Sequence, residues 1–380
     1  MKYTRRDFGK LAIGTIPVAS AILADSRRLF AQAKPDSLID GVQIGVITYS
    51  FRSMRDQSAE ATLKYVVDSG LSACELMNGP CWDYAYKKTG FTPPSSGRGG
   101  FGGMRGPGRP GGPGAQAAAE PGPAIPGQPS WDGKACPANA EGRGPIPGRG
   151  RGQMTAEQEA AQKAAADEVR KWQLGVSLDV FKDLKQMYND AGVSIYAVKI
   201  LEVNADDDQL DKQFQIGKTL GASHLTAELI PHSDTSTATF KRVGDAALRN
   251  GMFAAYHTHL QGRMDAFDEA FAASAGNKAN IDFGHYVAAG EIGGTPMDFL
   301  NKFHARVASF HLKDRTLPQH CALNLPWGEG DTPIKQILQL VKKNQWPVPA
   351  TIELEYEIPE GSDAVKEVAK CLAYCRAALA

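Results

Sequence analysis

Ser194-Ile-Tyr-Ala-Val-Lys-Ile200, His224-Leu-Thr-Ala-Glu228, Phe253-Ala-Ala-Tyr-His257 and Ala279-Asn-Ile-Asp-Phe283 follow one another along the middle of the chain. Each is a short, mostly apolar run, the pattern of a strand buried on both faces of a parallel sheet. Amphipathic stretches over 210–220 and 238–249 separate them. Glycines at 221 and 251 stand just before the next strand, where a left-handed residue closes a helix. Working outward, the same alternation continues. Strands are predicted over 44–50 and 73–77 on one side and over 307–311 and 350–355 on the other, with helices over 59–68 and 334–343. Eight strand–helix repeats over 41–380 predict an α/β fold of the (β/α)8 TIM-barrel type in preference to an open sheet. No glycine-rich dinucleotide fingerprint follows the first strand, which removes a Rossmann reading.

One segment breaks the alternation. Residues 92–152 are Gly, Pro, Arg and Ala with few large apolar side chains, too few to offset the entropy of ordering, so a disordered insertion is expected there. It follows the second strand and precedes the helical pattern of 156–189, which assigns it to a βα loop on the catalytic face. At the start of the chain, Thr4-Arg5-Arg6-Asp7-Phe8-Gly9-Lys10 is a twin-arginine pattern. An apolar stretch over 11–23 and a small-x-small cleavage site, Ala31-Gln32-Ala33, follow it. The apolar stretch is too short to span a bilayer and Pro17 interrupts it. Residues 1–33 are therefore read as a signal peptide. The mature chain is expected in the periplasm after passage through the twin-arginine translocase, with no stable membrane anchor. Equal numbers of acidic and basic residues, 42 of each, give no electrostatic footprint for nucleic acid. The spacing of the six cysteines is neither a zinc ribbon nor a CxxC motif, and most are expected to be small buried hydrophobes.

In a barrel, residues at the C-terminal ends of the strands share one pocket. The fourth strand ends in Glu228, the fifth in Tyr256-His257-Thr258-His259 and the sixth in Asp282-Phe283-Gly284-His285. The seventh ends in His311-Leu312-Lys313-Asp314 and the eighth in Glu353-Leu354-Glu355. Ionisable groups in apolar strands are costly unless paired or bound to metal. A lone histidine at a strand end is ordinarily a hydrogen-bonded core residue, but polar ends on five strands converging on one pocket point to a site. A mixed His and carboxylate set suits one divalent ion, Mn, Co, Zn or Fe, better than Ca.

Taken together, Tyr49-Ser50-Phe51-Arg52, the run from Asp282-x-Gly-His285 to Gly290, and His311-Leu-Lys-Asp314-Arg315 resemble the xylose isomerase-like barrel superfamily. Gly328-Glu-Gly-Asp331-Thr-Pro and Ile-Glu353-Leu-Glu355-Tyr complete the likeness, which is greatest to the exported sugar phosphate isomerase/epimerase branch. It runs from Gly41 to the C-terminus, less the insertion. It implies a metal held by Asp282, His311 and a glutamate of the last strand, with His285 on the substrate. Glu355 and Glu353 lie on one strand face. Glu355, nearer the mouth, is preferred, with Glu353 or Glu228 as alternates. His257 stands where ketose epimerases of the superfamily have a glutamate that exchanges the proton at carbon 3, and it is assigned to the metal and to catalysis.

Lys313 is in phase with His311 and is placed to neutralise a developing enolate. Arg52, Glu75 and His259 are expected to bind substrate hydroxyls, and Tyr49, Phe51, Tyr286 and Trp327 to stack on a sugar ring. Gly328-Glu329-Gly330-Asp331 resembles a phosphate-binding turn, with Asp331 as the N-cap of the helix that follows. The resulting expectation is a metal-dependent isomerase or epimerase of a sugar or keto-sugar, with a small carbohydrate as its partner. A 3-keto-glycoside lyase or hydratase is the alternative, a non-catalytic sugar-binding protein the next, and an endonuclease a distant one.

Overall fold

The apolar runs become eight parallel strands: β1 (Val42–Ile47), β2 (Ala73–Met77), β3 (Ser194–Lys199), β4 (His224–Glu228), β5 (Phe253–His257), β6 (Asn277–Asp282), β7 (Val307–Leu312) and β8 (Ala350–Ile352). Each pairs with its sequence neighbour, and β8 closes on β1 with Ala350 beside Ile44 and Ile352 beside Val46. Closure of a parallel sheet with helices between strands is the TIM barrel. The computed structural model describes residues 34–94, 130–131, 134–136 and 155–380. The twin-arginine segment and most of 92–152 lie outside the described residues. Among the described residues, no helix is long and apolar enough to cross a membrane.

The helices show why the sequence reads as it does. Gly221 has φ +94° at the end of Asp207–Leu220, a conformation that costs a β-carbon-bearing residue far more than glycine. The helix Ala156–Gly175 opens on a capping box in which Thr155 and Gln158 exchange hydrogen bonds. One helix, Asn78–Thr89, is unforeseen. Its Asn78-Gly79-Pro80 start reads as a turn, yet proline is tolerated in a first turn because its missing N–H has no helical partner there. This helix stands between β2 and the Gly/Pro/Arg segment, which therefore joins two helices.

Two predicted strands are shorter than expected. β1 ends at Ile47 because Thr48–Phe51 winds into a 3-10 turn. The ladder of β8 ends at Ile352. Beyond it Glu353 N donates to Leu312 O at 3.0 Å and Leu354 N to Ser50 Oγ at 3.0 Å. The cysteines also divide. Cys74, Cys81, Cys371 and Cys375 are free and buried, whereas Cys136 and Cys321 form a disulfide that ties part of the 92–152 segment to the loop after β7. Nothing in their spacing, 185 residues apart, announced that pair.

The barrel interior is polar. Tyr196 Oη meets Thr351 Oγ1 at 2.8 Å, and His224 Nε2 meets Ser309 Oγ at 2.9 Å. Asn280 Nδ2 donates to Ser309 Oγ at 2.7 Å. Thr351, His224, Ser309 and Asn280 are fully buried and Tyr196 partly so, and their mutual bonds remove the cost of burying them. They form the floor on which the strand-end residues stand.

Candidate metal and sugar site

Parallel register brings the strand ends together. His257 ends β5, Asp282 ends β6 and lies beside His311 of β7, and Glu353 follows β8 directly. Each offers one ligand atom, and these atoms all lie within 4.8 Å of one another; all four residues are buried. Glu353 is the glutamate in this group, and Glu355, preferred from the sequence, lies outside it. The cluster sits one layer below the rim, so the residue two positions nearer the mouth overshoots it.

Each member is oriented by a neighbour. Asp282 divides its carboxylate: Oδ1 accepts from His285 N at 2.8 Å and caps the helix Phe283–Ala288, while Oδ2 turns into the cluster. Oδ2 is buried without a hydrogen-bond partner, although Lys313 Nζ lies 3.1 Å away. His257 Nδ1 lies 3.0 Å from Asn280 Oδ1, so it donates and leaves Nε2 as an acceptor. Burial, reinforced by His311 and Lys199, holds His257 well below its ordinary pKa.

His311 stands between two carboxylates, Glu75 Oε2 at 2.9 Å from Nε2 and Glu353 Oε2 at 2.7 Å from Nδ1. Burial opposes a charge on this ring, but Glu75 and Glu353 outweigh it and push its pKa up to about 10. Glu75 resists burial through His311, Lys199 and Thr226 and falls to about 2. Glu75 was expected to hold a substrate hydroxyl. It is instead fully buried, with Thr226 Oγ1 donating to it at 2.6 Å, and its place is beneath His311. A carboxylate on the far nitrogen of a histidine is the usual support of a metal-binding imidazole.

The donor set fits a divalent ion: two histidines and two carboxylates, all buried, with one oxygen, Asp282 Oδ2, that accepts no hydrogen bond and faces Lys313 Nζ at 3.1 Å. Glu75, Asp282, Glu353 and Glu355 crowd around the His311 imidazolium and the Lys313 ammonium, which stand within 3.2 Å of them. Burial raises the Asp282 pKa. Lys313 and His311 hold Glu353 well below the carboxylate range against the same burial.

Above the cluster lies a rim. Lys313 Nζ reaches Glu355 Oε2 at 2.6 Å, Asp282 Oδ2 at 3.1 Å and Glu353 Oε2 at 3.2 Å. Gly284 permits this: a β-carbon there would stand 2.2 Å from Lys313 Cγ. His285 Nε2 is 3.8 Å from Glu355 Oε2, and its ring stacks on His259 with centroids 4.8 Å apart. Glu228 is exposed and paired with Lys199 at 2.7 Å. Glu228, His257 and His259 also bring ligand atoms within 4.8 Å of one another, at the open mouth.

Other candidates lie elsewhere. Arg52 donates from Nη1 to Leu354 O at 2.6 Å and covers the exposed ring of Tyr49. Phe51 and Tyr286 are buried in the core, and Trp327 packs edge-on against Tyr374. The phosphate-binding turn is already filled. Asp314 accepts from Gly328 N, Gly330 N and Thr332 N at 2.7, 3.0 and 3.2 Å. Asp331 does not cap the next helix, which starts at Ile334; it accepts from Leu317 N at 2.8 Å and pairs with His320 Nδ1 at 2.7 Å. Asn280 is a further member of this network that the sequence reading does not contain, and Arg315, quoted there only within the His311–Arg315 run, bonds to His285. Asn280 is two residues before Asp282 and so shares its inward face, a signal the alternation rule contains.

The same fold occurs in solved structures described as sugar isomerases, epimerases and xylose isomerase domain proteins. A sugar phosphate isomerase/epimerase from Parabacteroides distasonis superposes with a TM-score of 0.51 at 15% identity, over 90% of this chain and 96% of that one. A xylose isomerase domain protein from Alicyclobacillus acidocaldarius gives 0.51 at 13% identity, over 89% and 99%. A D-psicose 3-epimerase from Clostridium cellulolyticum, solved with D-tagatose, gives 0.50 at 9% identity, over 89% and 99%. No family model matches the chain, and no curated protein matches it.

Proposed function

We propose that the chain is a divalent-metal-dependent enzyme that isomerises or epimerises a sugar or keto-sugar through an enediolate. It works in the periplasm after export by the twin-arginine translocase. The observation that carries the reading is the buried quartet of His257, Asp282, His311 and Glu353, whose ligand atoms all lie within 4.8 Å of one another. A divalent ion bound by these four supplies Lewis acidity beside a carbonyl, lowering the cost of removing the neighbouring carbon-bound proton. Glu355, at the rim and outside the quartet, takes that proton and delivers it to the adjacent carbon of the enediolate, which isomerises the sugar; in epimerisation the carbon is reprotonated on its opposite face by water. The Lys313 ammonium opposes the negative charge that develops on oxygen. His285 donates from Nε2 to a substrate hydroxyl, and His259, stacked on it, borders the same opening. Likeness in fold to a sugar phosphate isomerase/epimerase and a D-psicose 3-epimerase supports a carbohydrate substrate. The Cys136–Cys321 disulfide supports export, because such bonds persist in oxidising compartments.

His257 favours a second reading. With a histidine ending β5 and Glu228 paired with Lys199, Glu355 is the rim carboxylate that stands beside both Lys313 and His285. A single base suffices for β-elimination from a 3-keto-glycoside, which shares the enolate and expels a leaving group.

The test is NMR in deuterated buffer with a panel of sugars and 3-keto-glycosides. Deuterium entering the carbon next to the carbonyl, with the carbon skeleton kept, is the expected result. Release of the aglycone selects the lyase. Binding of a sugar with neither deuterium incorporated nor product formed would show a non-catalytic binding protein and refute the enzyme reading.

A further inference from the structure

Arg315 has no part in the proton chemistry above, yet it is among the largest fully buried side chains in the molecule. A guanidinium keeps its charge in a protein, and a buried charge is costly without partners. Nη1 donates to His285 Nδ1 at 2.6 Å, and Nη2 donates to the Ala322 carbonyl at 2.5 Å. The backbone is fixed as well: Arg315 N donates to Thr332 Oγ1 at 3.0 Å, and Arg315 O accepts from Asp331 N at 2.9 Å. Gly284 lets this segment lie close, since a β-carbon there would stand 3.2 Å from Arg315 Cγ.

Guanidinium nitrogens only donate, so the bond makes Nδ1 of His285 an acceptor. The proton of the neutral imidazole then resides on Nε2. Nε2 is the nitrogen that faces Glu355 and the opening above the quartet. We propose that Arg315 is a positioning residue: it holds His285 in the Nε2–H tautomer, so that the ring gives a hydrogen bond to a substrate oxygen instead of accepting one. This rests on the substrate-facing role of His285 proposed above. It adds a determinant of specificity, because a site with a fixed donor selects a hydroxyl or carbonyl oxygen at that point and rejects an analogue whose group there can only donate.

The test reads the imidazole nitrogens directly. Protein with isotope-labelled histidine, its His285 signals assigned through His285→Gln, is compared with Arg315→Met and Arg315→Lys by long-range proton–nitrogen correlation. Measurements are made on the protein as isolated and after exchange to a diamagnetic ion. The parent should show Nδ1 unprotonated and Nε2 protonated. In Arg315→Met the two signals should move towards each other as the second tautomer becomes populated, and kcat should fall by about 10- to 100-fold with a smaller change in KM. Arg315→Lys, which keeps a donor, should restore most of the parent pattern. Unchanged His285 signals in a folded Arg315→Met overturn the proposal, and so does a parent whose proton resides on Nδ1, whether or not the variants fold. Metal content and carbon-bound proton exchange of the parent test the proposed function separately. If those fail, the His285 signals still decide the tautomer.

Discussion

Glu353 and Glu355 lie two residues apart on the same inward face, and their surroundings differ completely. Glu353 is buried against His311 and Lys313, whereas Glu355 is partly exposed, paired with Lys313 and 3.8 Å from His285 Nε2. Glu353→Gln should therefore empty the metal site, because an amide is a weaker ligand and no longer balances His311. Glu355→Gln should keep the metal and lose turnover. Metal analysis beside an activity assay checks both, and loss of metal from the Glu355 variant alone would reverse the assignment. At this scale the sequence is informative about residue type and less so about depth. His257, Asp282 and His311 were legible because charged or titratable groups in apolar strands demand a reason. Glu75 was visible as a strand-end polar group, but its partner, His311, is 236 positions away, so its supporting role had no local signal. The depth of the cluster depends on strand tilt and on where the β8 ladder stops, which no local pattern states.

The loop after β7 shows an element fixed by one side chain. Asp314 collects three backbone N–H groups from Gly328 to Thr332, and a β-carbon at Gly330 would come 2.3 Å from its Oδ1. Asp314→Ala leaves those donors without their acceptor and should cost about 2–4 kcal/mol in urea unfolding. A loss below about 1 kcal/mol would mean that water replaces the carboxylate. The glycine spacing of 328–331 reads equally well as an anion-binding turn, and a carboxylate from the chain itself fills the place a phosphate would take. Strand and helix periodicity carried most of the remaining elements, since a parallel barrel buries each strand on both faces. The helix Asn78–Thr89 escaped because its first turn holds Gly79 and Pro80, residues that mark turns when read locally.

For the whole molecule, the polar barrel floor couples stability to pH. His224 is fully buried on Ser309 and Ser223, and burial depresses its pKa to about 4 from an ordinary value of 6.5. The unfolded chain therefore binds more protons between those values. Stability is fully present above pH 6.5 and declines as pH falls towards 4, by about 1.4 kcal/mol per unit. Between pH 7 and pH 5 the parent should lose about 2 kcal/mol more than His224→Gln, measured by chemical denaturation. Equal losses would place the titration elsewhere. The barrel itself was legible throughout, whereas the disulfide that ties residue 136 to residue 321 was not, because the insertion's composition hides any contact it makes. The central claim is that eight strands close in order to bring four ligands around one divalent ion. Elemental analysis of protein matured in the periplasm tests it most directly. The account predicts one divalent ion per chain in the parent and almost none in Asp282→Ala; a parent without stoichiometric metal, or an Asp282 variant that retains it, would contradict the account.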